Sequence, residues 1–77
     1  MIAKVKTTLP NGKKVTLNDP KELRGTEAKE VALFLRTGEV FEGWVDELSS
    51  KRIWLTRPEE QGSTGLPYRL LIGWSYV

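Results

Sequence analysis

Val31-Ala32-Leu33-Phe34-Leu35-Arg36-Thr37-Gly38-Glu39-Val40-Phe41-Glu42-Gly43-Trp44-Val45 decides the fold. Apolar residues recur with a period of two on both sides of a turn glycine, as in two antiparallel strands joined by a tight loop. Two registers compete. A two-residue turn at Thr37-Gly38 sets Leu33 opposite Glu42 and brings a carboxylate onto the apolar face. A three-residue loop, Arg36-Thr37-Gly38, sets Leu33 opposite Phe41 and Val31 opposite Gly43. The second keeps that face dry and is the register expected. Gly43 has no side chain to pack, so it marks a bend or a close approach of another backbone.

Upstream, Val5, Thr7 and Leu9 alternate with polar residues, Pro10-Asn11-Gly12 turns the chain, and Lys13, Val15 and Leu17 alternate back. Pro10 presets the first turn residue and Gly12 supplies a positive φ, so a three-residue loop pairs Leu9 with Lys13, Thr7 with Val15 and Val5 with Leu17. Asn18-Asp19-Pro20 then reads as a helix start, an Asx cap followed by Pro, but Gly25 limits it to a short helical connector. Thr26 to Glu30 reads as a loop.

Downstream, Glu47 to Lys51 reads as a turn, Arg52 to Thr56 as a strand and Pro58 to Pro67 as a surface loop. Tyr68 to Val77 reads as a last strand with two largely apolar faces, Tyr68/Leu70/Ile72/Trp74/Tyr76 and Leu71/Val77, both of which need cover. Five or six short strands with frequent turns and little helix predict an all-β chain closed, or nearly closed, into a small barrel. Residues 1–77 form one domain, with a hairpin and short helix in 1–25 and the barrel core in 31–77.

With 77 residues the chain buries little surface, and with no Cys and no His it has neither disulfides nor a Cys/His zinc site to brace it. Oligomerisation is the remaining brace, and a homo-oligomer is expected. The net charge of +2 is compatible with an RNA partner without demanding one. No run approaches the roughly 20 apolar residues of a membrane span, so the expectation is a soluble, cytoplasmic protein with no membrane partner.

Catalysis has little to draw on without His or Cys, and no phosphate-binding glycine loop is present, so no enzyme activity and no cofactor are expected. Glu39, Glu42, Asp46 and Glu47 read as a solvated hairpin face. By strand parity Phe34, Trp44 and Trp54 lie opposite Leu33, Val45 and Leu55. An outward aromatic there covers a sheet face under the hairpin, joins an interface, or stacks a base or a peptide side chain. Lys51, Arg52, Arg57 and Arg69 gather around the last two strands as a basic rim. With Trp44, Trp54 and Trp74 they make up the candidate binding residues.

The run Val31, Leu33, Leu35, Gly38, Phe41, Gly43 and Val45 resembles the first signature of Sm and Sm-like proteins. Leu71-Ile72-Gly73-Trp74-Ser75-Tyr76-Val77 looks like a weakened second signature. The resemblance implies a five- or six-stranded Sm-like or SH3-like barrel and rings made by edge pairing, for which the strands around Ile53 and Ile72 would serve. It does not carry over the family's uridine pocket: Ser49, Ser50 and Lys51 stand where that pocket's Asp and Asn would follow the second strand, and Ile72 replaces its Arg. The reading reached from sequence is a non-catalytic module that self-assembles and binds RNA, or else a protein–protein adaptor or structural component.

Overall fold

The computed structural model describes residues 6–26, 29–58 and 62–77. Among the described residues seven strands run in chain order: β1 (Lys6–Thr8), β2 (Lys14–Thr16), β3 (Glu30–Leu35), β4 (Val40–Leu48), β5 (Arg52–Thr56), β6 (Ser63–Pro67) and β7 (Leu71–Tyr76). β1 and β2 form a two-stranded sheet of their own. The other five form one antiparallel sheet in the order β6-β5-β4-β3-β7, so a four-strand meander is extended by β7 returning to the far side of β3.

The central hairpin takes the drier register: Leu33 pairs with Phe41 and Val31 with Gly43. Its three-residue loop is closed by Leu35 N–H donating to the Glu39 carbonyl (3.0 Å), with Gly38 at φ +92°. The N-terminal hairpin follows the same logic, pairing Thr7 with Val15 while Leu9 N–H donates to Lys13 C=O (2.8 Å). The expected Val5–Leu17 pair lies outside the described residues.

β3 is buried along both faces. On one side Val31, Leu33 and Leu35 join Leu23, Val45, Ile53, Leu55, Leu66, Leu71 and Trp74 in the main core. On the other, Ala32 and Phe34 pack with Leu9 and Leu17 of the N-terminal hairpin. Phe34 thus takes the covering role, and the hairpin packs beside the sheet rather than extending it.

The connector is one turn of 3₁₀ helix, Pro20–Leu23, with Asp19 capping the Lys21 N–H (2.8 Å) and Pro20 at its start. Two aromatic side chains grip it. Tyr68 Oη donates to Pro20 C=O (2.6 Å) and Trp74 Nε1 to Asp19 C=O (2.9 Å), which sets Leu23, fully buried, into the core.

Several expectations are corrected here. Ser63–Pro67, expected to be loop, is strand β6; Gly65 and Pro67 mask its pattern, and Leu66 is its one buried apolar residue. The expected single strand from Tyr68 to Val77 is a 3₁₀ turn, Tyr68–Leu70, followed by β7. Trp74, expected among the binding residues, is 3 % exposed. Phe34 pairs with Gly73 and Leu35 with Leu71, so Ile72 bulges out and Leu71 and Trp74 share the inner face. A second bulge at Asp46 lets Val45 and Leu48 both face Leu55 and Ile53 across β5.

The strand around Ile53 has no edge to offer a neighbouring copy, because β5 is paired on both sides. The edges are β6 and β7. On β7 the Trp74 backbone is already taken: Asn18 N–H donates to its C=O (2.7 Å), and its N–H donates to Asn18 C=O (3.2 Å).

Two glycines allow this compactness. A Cβ on Gly43 would collide with the Thr56 carbonyl oxygen and lie 3.2 Å from the Arg57 Cα. A Cβ on Gly73 would lie 2.9 Å from Leu17 Cβ and 3.0 Å from Asn18 O, where the N-terminal segment crosses β7. The obstacle at Gly43 is backbone, which cannot step aside as a flexible side chain can. We expect Gly43→Ala to destabilise by about 2 kcal/mol or more, read from urea denaturation followed by tryptophan fluorescence; wild-type stability would remove the close approach from the account.

Candidate functional site

The sheet's outer face is only partly covered. The N-terminal hairpin packs on Ala32 and Phe34 of β3 and reaches Val40 at the start of β4, while farther along β4 and on β5 Trp44 and Trp54 are each 36 % exposed. Trp54 lies across from Gly65 on β6, and a Cβ on that glycine would come within 2.8 Å of the indole. The missing side chain gives the ring a flat seat.

Arg52 is two residues from Trp54 on the same strand and shares its outward face. It pairs with Pro67 across β6. A groove of about 390 Å³ is lined there by Ser50, Lys51, Arg52, Pro67 and Arg69. Its geometry is set locally. Ser49 Oγ accepts the N–H groups of Lys51 (3.3 Å) and Arg52 (2.9 Å), which tightens the β4–β5 turn. Tyr68 N–H donates to Lys51 C=O (2.9 Å), docking the second 3₁₀ turn beside it. Arg36 Nε donates to Arg69 C=O (3.1 Å) and holds that turn from the other side.

The expected set of binding residues therefore divides. Lys51, Arg52 and Arg69 converge on one groove, with Trp54 on the adjoining face. Arg57 leaves the far end of β5, roughly 16 Å along the strand from Arg52, and stacks on the Phe41 ring at 4.7 Å. Trp74 belongs to the core. Trp44 is outward, but its surroundings on β4 are Glu42, Asp46 and Glu47 rather than cations.

The acidic residues are not a uniform solvated face either. Glu39, Asp46 and Glu47 are exposed, but Glu42 is half-buried, with its Oε2 covered and lacking a hydrogen-bond donor. Asp46, at the bulge, accepts from Thr56 Oγ1 on β5 and from Ser63 Oγ on β6 (2.5 Å). One carboxylate thus ties three strands. Among the described residues no cluster of three or more metal-ligating side chains occurs, and none of their helices is long and apolar enough to cross a membrane.

The sequence matches no protein-family model, and neither the curated proteins nor the solved structures yield a match.

The hydroxyls of Ser63 and Thr56 favour the charged form of Asp46 and hold its carboxyl below the ordinary 3.8. The stabilisation is therefore complete above that value and is lost as pH falls through the lowered one. Asp46→Asn should flatten this acid limb, so that the drop in urea midpoint between about pH 6 and pH 3 is smaller than in the wild type. Parallel curves would mean that the carboxylate contributes nothing to holding β6.

Proposed function

We propose that this chain is a non-catalytic binding module built as a small Sm-like or SH3-like β-barrel, and that it holds single-stranded RNA across Trp54 and the Lys51–Arg52–Arg69 groove. The convergence of those three cations beside an exposed, seated indole carries the reading. Single strands are generally held by bases stacked on aromatic rings and by phosphates on nearby Lys and Arg. The strand order supports the barrel: a four-strand meander, a 3₁₀ turn, and a last strand back against the first of the meander, which the tight approach at Gly43 helps to curl. Absence of His and Cys supports a role without chemistry. The module works in the cytoplasm as a homo-oligomer, with β6 as the edge left open to a neighbouring copy.

A protein adaptor is the second reading, favoured by Trp44. Its acidic neighbours suit a protein surface better than a polyphosphate, and exposed Trp is common at protein interfaces.

Fluorescence anisotropy with an unstructured oligoribonucleotide separates the two. Binding at about 50 mM salt should fall steeply as salt rises, and Arg52→Ala and Arg69→Ala should each flatten the log–log slope by about 0.7. Trp54→Ala should cost about tenfold or more at any one salt. No binding at low salt, or slopes indifferent to both arginines, rejects the RNA reading in favour of the adaptor.

A further inference from the structure

A second groove, of about 210 Å³, lies at the other end of the sheet, where the tip of the N-terminal hairpin meets the segment leaving β5. It is lined by Pro10, Val40, Glu42, Arg57 and Pro58. Pro10, Val40 and Pro58 supply apolar patches in a lining that is otherwise polar, and one wall carries the carboxylate whose Oε2 is covered and has no donor. A buried acceptor without a donor is uncommon in folded proteins and calls for a partner. The other charged group of the wall, Arg57, has its guanidinium over the Phe41 ring.

We infer that this groove receives an arginine or lysine side chain from a peptide segment of a partner protein, with the cation on Glu42 and the aliphatic stem against Pro10, Val40 and Pro58. The shape of the wall selects that chemistry. A long basic side chain is an apolar stem with a multi-donor head, and the groove sets the apolar patches of Pro10, Val40 and Pro58 beside an acceptor-only group. The terminal torsion of a glutamate is soft, so either carboxylate oxygen can turn to meet the head. Charge-assisted hydrogen bonding then supplies the missing donor. This site is separate from the proposed RNA surface and does not depend on it.

The test is a ¹⁵N-correlation NMR titration of the full chain with N-acetyl-arginine amide. N-acetyl-citrulline amide serves as the neutral isostere, N-acetyl-aspartate amide as the anion and free arginine as a small-molecule source. The capped arginine should shift the amides of Val40, Glu42 and Gly43. It should bind about tenfold tighter than the citrulline analogue, and free arginine should bind no better than the capped form. Glu42→Gln should weaken the capped arginine about fivefold or more while the spectrum stays dispersed, and Glu42→Ala should do the same if the glutamine variant misfolds. Equal binding of citrulline, binding of the aspartate amide instead, tighter binding of free arginine, or no shifts at these amides would each overturn the assignment.

Discussion

The structure depends on one constraint: β3 is apolar on both faces, in a chain too short to bury both with a single sheet. One face packs into the main core with Val45, Ile53, Leu55, Leu71 and Trp74. The other needs a separate element, and Leu9 and Leu17 of the N-terminal hairpin supply it. Covering Phe34 and Ala32 removes apolar area from water at about 25 cal/mol per Å², which explains why a three-residue β-ribbon of mostly exposed residues holds its place. The hairpin cluster reaches Val40 on β4, and Trp44 and Trp54 lie outside it and stay exposed.

Much of this architecture was legible wherever local rules and burial agree. The Arg36-Thr37-Gly38 loop was identifiable because the competing register brings Glu42 opposite Leu33, a choice that side-chain chemistry alone decides. The N-terminal turn was legible for a similar reason, since Pro10 and Gly12 fit a single loop type. What parity could not foresee are the two bulges. An extra residue at Ile72 exchanges inside and outside for the rest of β7, so Trp74 moves from a supposed binding surface into the core. Strand β6 was hidden because Ser63-Thr64-Gly65-Leu66-Pro67 has little strand propensity and is held by its neighbour β5 and by Asp46.

The candidate site was legible as a list but not as a geometry. Basic residues near the last strands stand out in the sequence, yet which of them meet depends on the 3₁₀ turn at Tyr68–Leu70 docking against the β4–β5 turn, a contact between positions far apart in the chain. The same distance effect sends Arg57 to Phe41 instead. Glu42 was read as one of four solvated acids; only the hairpin tip folding over it distinguishes it, and no local pattern announces that.

The position of β7 also bears on how the chain acquires its shape. Leu33 and Trp74 are partners about 40 positions apart, so β3 keeps a bare flank until β7 has left the ribosome. Closing so wide a loop is entropically slow. During that interval the half-built meander presents its oily side and an unsatisfied backbone ladder to whatever is nearby. Synthesis rate and chaperone access, rather than the stability of the finished domain, would then govern how much of it reaches the folded form.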